Sequence, residues 1–134
     1  MQNWTDVKGF LELFSVDIER NGAKDFIDLT ELLGLMYAFP EYQVNDHLLV
    51  QTYLKQKKLS PMVFWGRIKR DILPILSADD ETLNALGCPL PETRNSAELM
   101  RCLARALADN INEQGREGLR TVALNVKDMC IIAK

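Results

Sequence analysis

One histidine, His47, is all the imidazole in 134 residues, and it stands beside Asp46 at the start of an amphipathic segment with no catalytic motif around it. Ser-His-Asp and Cys-His machineries would have to pass through that ring, so the sequence reads as non-enzymatic. The plain account of His47 is a helix-start side chain. Cys88, Cys102 and Cys130 are odd in number and widely spaced, with no C-x-x-C pair. They match neither a zinc spacing nor a disulfide framework, and buried reduced thiols in a cytosolic protein are expected. The seven glycines are isolated, and neither G-x-G-x-x-G nor G-x-x-x-x-G-K occurs, which removes the glycine-rich phosphate loops. Asp79-Asp80-Glu81 falls in the first turn of a helix, where carboxylates are favoured anyway. No metal and no cofactor is expected.

Long apolar runs are missing too. A spanning helix needs roughly 20 apolar residues, and no stretch approaches that. The opening MQNWTDVKGF has no basic region followed by an apolar one, so neither a membrane span nor a secretion signal is expected. With 47% apolar and 26% charged residues the composition is that of one ordinary globular domain spanning 1–134. A chain of this length buries roughly two-thirds of the surface its unfolded form exposes, enough for a core without metal or disulfide.

What the chain does have is an uneven charge. Its net charge is −3, yet from His47 to Arg70 there are six basic side chains and no acidic one: Lys55, Lys57, Lys58, Arg67, Lys69 and Arg70. Everything else therefore carries −9. The overall acidity argues against a protein that coats nucleic acid, whereas the basic segment argues for one local contact with an anion.

Helical periodicity runs from end to end. Asn3 or Thr5 is a candidate cap for a first helix with Phe10, Phe14 and Ile18 spaced at four, closed by Asn21-Gly22. A second helix spans about 24–39, with Phe26, Leu29, Leu32, Leu33 and Met36 on one side, and Pro40 stops it. A third starts near Asn45 or Asp46. Ser60-Pro61 then opens a fourth, the Ser as cap and the Pro at the first position, with Phe64, Ile68, Ile72 and Ile75 inward and Pro74 bending or ending it. Ser77 with Asp80 and Glu81 has capping-box spacing for a short helix ending at Gly87; 88–94 reads as a loop. Asn95 and Glu98 repeat the signature for a helix continuing to about Glu113. In 116–134, Leu119, Val122, Ala123, Val126, Met129 and Cys130 keep helical spacing, while Thr121-Val122 and Ile131-Ile132 favour strand; helix is the reading adopted. The class is all-α.

Helix three, the break Leu59-Ser60 and helix four have the outline of a helix-turn-helix. In that unit the first helix crosses the phosphate backbone and the second enters the major groove. Cations then belong at the turn and on the outer side of the second helix, where Lys55, Lys57, Lys58, Lys69 and Arg70 fall, with Arg67 at the margin. The competing account is a solvated charged face at a helix C-terminus.

The stretch from Asp28 to Asp109 resembles the C-terminal DNA-binding effector domain of the stage-zero sporulation response regulator of endospore-forming bacteria. The resemblance is carried by LLGLMYAF, VQTYLKQKKL, SPMVFWGRIKRDILPIL, DDETLNALG and RNSAELMRCLARALAD. That family has the same order: a helix with a tyrosine, a lysine-ended helix, a T-x-S-R-V-E-R-A-I-R recognition helix, a short helix ending at glycine, and an N-S-capped last helix. Phe64, Ile68 and Ile72 fall on its core positions. The resemblance implies a helix-turn-helix fold and a bacterial transcription regulator acting on double-stranded DNA. Residues 1–27 and 115–134 lie outside it and are candidates for a homodimer or partner interface, or for completing the core. The 27 residues before it are too few for the family's receiver domain, so control by phosphorylation is not expected.

One departure bears on mechanism. The family's recognition helix opens with polar and charged residues, whereas here it opens Pro61-Met62-Val63-Phe64-Trp65-Gly66. Ser60 keeps a hydroxyl for a phosphate and Arg67 and Lys69 keep charge, but most base-reading groups are gone. Three accounts of Met62, Val63 and Trp65 remain: contacts to thymine methyls, a protein-binding patch, and packing of Trp65 on the N-terminal helix. The resulting expectation is a helix-four interface of Lys55, Lys57, Lys58, Ser60, Met62, Val63, Trp65, Arg67, Lys69 and Arg70, serving DNA or, alternatively, a protein partner.

Overall fold

The computed structural model describes residues 4–90, 94–111 and 113–133, and among them all regular structure is helical. Eight α-helices follow in order: α1 (Val7–Leu13), α2 (Asn21–Ala38), α3 (Asp46–Lys57), α4 (Pro61–Asp71), α5 (Leu73–Leu76), α6 (Asp80–Ala85), α7 (Ser96–Asp109) and α8 (Glu113–Ala133), with a 3₁₀ turn at Pro40–Tyr42 between α2 and α3. The all-α reading therefore stands, and the ambiguous tail is helix.

Helix α2 is the centre. Its buried Phe26, Leu29, Leu33 and Met36 are packed mainly by α7, through Leu99, Met100 and Leu103, and by α4, through Phe64 and Ile68. Two glycines let the neighbours come that close. A Cβ on Gly22 would stand 2.4 Å from the Arg67 carbonyl oxygen and 2.4 Å from Asp71 Oδ2; one on Gly34 would stand 3.3 Å from the Ala104 carbonyl oxygen. All four inward residues expected on helix four, Phe64, Ile68, Ile72 and Ile75, have no exposed surface.

Caps explain most boundaries, and several expectations need correcting. The first helix stops at Leu13 rather than running past Ile18, because Ser15 adopts a left-handed φ of 58° and the Val16 N–H turns back to the Leu11 carbonyl at 3.2 Å. Asn21-Gly22 accordingly opens α2 instead of closing α1. The cap of α1 is Asp6, which accepts from the Gly9 N–H at 2.7 Å, not Thr5; Asn3 lies outside the described residues. Asp79, not Ser77, caps α6: its carboxylate accepts from the Thr82 hydroxyl and N–H, which holds it below the usual carboxylate range. Ser77 instead closes α5. Asn45, Ser60 and Asn95 cap α3, α4 and α7 as expected, but α7 ends at Asp109, earlier than the expected Glu113. Pro74 has no N–H to offer, and the helix breaks at Ile72 into α4 and α5. Of the loop expected at 88–94, residues 91–93 lie outside the described residues.

Both ends complete the core. Trp4 meets Phe10 edge-on at 5.2 Å and donates its indole N–H to the Leu86 carbonyl at 2.9 Å. Ala123, Val126 and Cys130 of α8 are buried, and Arg116 donates to the Ala38 carbonyl at 2.8 Å while its guanidinium lies over the Phe39 ring. A cation thus answers the exposed carbonyls at the end of α2.

Candidate nucleic-acid interface

The turn between α3 and α4 is built by a lysine in a glycine's conformation. Lys58 has φ 57° and ψ 45°; its N–H returns to the Leu54 and Lys55 carbonyls, and the Leu59 N–H reaches the Leu54 carbonyl at 3.1 Å. This left-handed closure ends α3 abruptly, so Ser60 can open α4 two residues later by accepting from the Val63 N–H at 3.2 Å. The Ser60 side chain is exposed, and its hydroxyl keeps a hydrogen to donate. Lys55, Lys57 and Lys58 are all exposed, and Lys57 Nζ lies 5.6 Å from the centre of the Tyr53 ring. Tyr53 in turn donates to Asp25 of α2 at 2.9 Å; burial and that bond raise its phenol above the ordinary range. The root of the turn is therefore fixed to the central helix.

Helix α4 presents three different sides. Its solvent face carries Met62, Val63, Gly66, Lys69 and Arg70 and continues to Leu73, with Met62 at 85% and Leu73 at 50% exposure. Nothing lies within 4 Å of a Cβ placed on Gly66. The side toward α2 carries Arg67, half-buried, and Asp71, whose side chain has no exposed surface. Asp71 Oδ1 is 2.9 Å from Arg20 Nε and 3.2 Å from Arg70 Nε; Oδ2 has no hydrogen-bond partner and lies against the first turn of α2. A buried carboxylate facing the positive end of a helix dipole is favourably placed. The third side, toward α7, carries Trp65.

Trp65 does not pack on the N-terminal helix. It stands edge-on to Phe64 at 4.9 Å and walls a hollow of about 240 Å³ between α3, α4 and α7, floored by Leu33, Val50, Leu54 and Met100. Met62 and Val63 are exposed on the outer face; Trp65, three residues on from Met62, borders that face but is half-buried against the hollow. At the rim of the hollow, Asp46 accepts from the Tyr37 hydroxyl at 2.9 Å and pairs with Arg101 at 3.5 Å. Burial first, and this bond second, push the Tyr37 phenol up to about 12. His47 is exposed beside them.

Lys55, Lys57, Lys58, Ser60, Met62, Val63, Lys69 and Arg70 are thus all exposed, on the end of α3, the turn and α4, whereas Arg67 and Trp65 are half-buried. Sequence reasoning passed over Leu73, although the row Met62, Gly66, Lys69, Leu73 has helical spacing, because Pro74 marked an end there. It also passed over Asp71 and Arg20, which meet only in the folded chain. Among the described residues no cluster of His, Cys, Asp and Glu is suited to a metal, and no helix is long and apolar enough to cross a membrane. Compared with protein-family models, curated proteins and solved structures, the chain finds no match.

Proposed function

We propose that this chain is a small, non-enzymatic, cytosolic DNA-binding regulator of bacterial type, laying α4 along the major groove with the end of α3 on the flanking phosphates. The observation that supports it is the edge itself. Six cations fall between His47 and Arg70 without a carboxylate among them, and the next acidic residue, Asp71, is turned inward. The resemblance to the sporulation effector domain points the same way. Lys55, Lys57, Lys58 and Lys69 would meet phosphates, Ser60 would donate to one, and Met62 and Val63 would approach thymine methyls. With no amide or guanidinium at the start of α4, affinity would come mostly from charge and sequence preference from shape and methyl contacts.

Charge reversal tests it. In a gel-shift titration with a random-sequence duplex, Lys57→Glu with Lys69→Glu is expected to abolish retention at 50–100 mM salt while the circular dichroism melt stays unchanged. Undiminished retention by the double variant refutes the reading. Selection of duplexes from a random pool at two salt concentrations then reports specificity: an enriched motif persisting at the higher salt marks a regulator with defined sites.

A second reading draws on the exposed row Met62, Gly66, Lys69, Leu73. An apolar strip flanked by cations also suits a protein partner, in which case charge reversal at Lys57 changes little and Met62→Glu or Trp65→Ala abolishes capture.

A further inference from the structure

Arg20 lies outside the basic segment in sequence, and the fold carries it to the end of α4. It stands at the N-cap of α2 without capping that helix through its side chain. Its guanidinium and that of Arg70 meet on one buried carboxylate: Asp71 Oδ1 is 2.9 Å from Arg20 Nε and 3.2 Å from Arg70 Nε. Because Oδ2 has no hydrogen-bond partner, neither arginine forks the carboxylate, and both approach it by the Nε edge. Among the described residues neither donates a hydrogen bond through an Nη nitrogen, and the two side chains are 51% and 60% exposed. The carboxylate next to Arg20 in sequence, Glu19, is answered by Lys24 at 3.4 Å.

We propose that Arg20 and Arg70 form a second phosphate contact, a guanidinium pair held by Asp71 that grips one phosphodiester of the duplex at the end of α4 away from the lysine turn. This rests on the reading of the chain as a DNA-binding protein and adds to it a residue that neither the basic segment nor the family resemblance contains. Two positive charges against one negative leave the trio with a single net positive charge, the amount that neutralises one phosphodiester. The Nη donors of two guanidiniums suit its two non-bridging oxygens, which a planar donor group meets edge-on. Sharing Asp71 weakens the long-range field of the pair but fixes where both groups sit. The lysines of the turn act as point charges; the arginine pair acts through geometry.

Distance places the contact. At roughly 1.5 Å of rise per residue, Arg70 stands about 15 Å along α4 from Ser60, and the major groove is about 12 Å wide. With the lysine turn against the phosphates of one strand, the pair is in reach of the other strand. Helix α4 would then be held at both ends, with Met62, Val63 and Gly66 between the two cationic ends and facing the bases.

The test is fluorescence anisotropy of the full chain on a labelled duplex of about 20 base pairs, from about 50 to 200 mM salt. Arg20→Ala leaves Arg70 and Asp71 in balance, with no net charge for the phosphate. Affinity at about 0.1 M salt should fall about eightfold, and the slope of log K against log salt should flatten by about 0.9. Adding Asp71→Asn to that variant frees Arg70 as an unpaired cation, and the slope should return to that of the parent chain. A residue that merely anchored α2 to α4 would behave in the opposite sense, because the second substitution removes a further contact from the same junction. Arg20→Lys keeps the charge and loses the planar donor edge, so it should keep the slope and lose affinity severalfold. Parent affinity and slope in Arg20→Ala, while Lys57→Glu with Lys69→Glu still abolishes binding, would overturn the arginine pair and leave the DNA-binding reading standing. A double variant no better than Arg20→Ala would overturn it too, and a parent chain without affinity for the duplex would overturn both. Circular dichroism spectra at the assay temperature establish that the variants fold; should Arg20→Ala unfold, parent affinity in Arg20→Lys decides against the pair.

Discussion

Lys58→Gly should move stability and DNA affinity in opposite directions. Lys58 holds φ 57° and ψ 45° at the close of α3, where a side chain pays a steric penalty of roughly 1–2 kcal/mol that glycine escapes. Against that relief stands the extra chain entropy of glycine in the unfolded state, roughly 0.5–1 kcal/mol. The charge lost from the helix end matters little, because Lys55 and Lys57 still complement the dipole. The net gain is about 0.5–1 kcal/mol, which for a domain of this size raises the melting temperature by roughly 2–5 °C.

On DNA the same change removes one cation from the turn. Each phosphate contact contributes about 0.9 to the slope of log K against log salt, so one lost contact lowers affinity about eightfold at 0.1 M salt and flattens the slope by about 0.9. Fluorescence anisotropy on a labelled duplex of about 20 base pairs, run from 50 to 200 mM salt, measures both; a thermal melt of the same preparation measures the rest. A more stable variant with unchanged slope would place Lys58 off the phosphates and remove the turn from the interface. A less stable one would contradict the account of the left-handed closure.

Two glycines should respond oppositely to alanine. Gly22→Ala drives a methyl onto the Arg67 carbonyl, which is backbone, and onto the buried Asp71 carboxylate held by Arg20 and Arg70, and should cost roughly 1–3 kcal/mol in urea denaturation; Gly66→Ala meets nothing and should gain about 0.5–1 kcal/mol. A neutral Gly22→Ala would mean that α2 and α4 are not in the contact described. Tyr37, pushed up to about 12 by burial and by its bond to Asp46, favours the folded chain fully below about pH 10 and loses that contribution as pH rises through about 12. Tyrosinate absorbance read immediately after an alkaline pH jump should show a phenol with a midpoint near 12 that is missing in Tyr37→Phe.

Much of what side chain and backbone decide within three or four residues was legible in the sequence. Asn45, Ser60 and Asn95 capped as expected, and the stripe Phe64, Ile68, Ile72, Ile75 was fully buried. Some misreadings were as local, the caps Asp6 and Asp79 among them; others came where a distant contact decided the outcome. Asn21-Gly22 has the look of a helix end, yet Gly22 is small because α4 passes against it, and α1 ends at Leu13, shortly before the left-handed Ser15, a residue with no helix-stopping signature.

The proposed interface shows the same division in its charges. Cations can be counted along a chain, but their effective charge depends on what the fold sets beside them. Arg70 belongs by sequence to the basic edge, and in the structure its Nε is committed to Asp71, a carboxylate that reads in sequence as the acidic residue ending the basic segment. Because Asp71 is wholly buried and shared with Arg20, it cannot be released without also freeing the start of α2, so Arg70 contributes less field to an approaching phosphate than an unpaired side chain would. Lys69, one position earlier, faces solvent and carries its charge outward. In the proposed interface the lysines at the turn and Lys69 would therefore form the working edge. A row of flexible ammonium groups suits phosphate contact as point charges, whereas the bidentate reading of guanine would have required an arginine held on the solvent face.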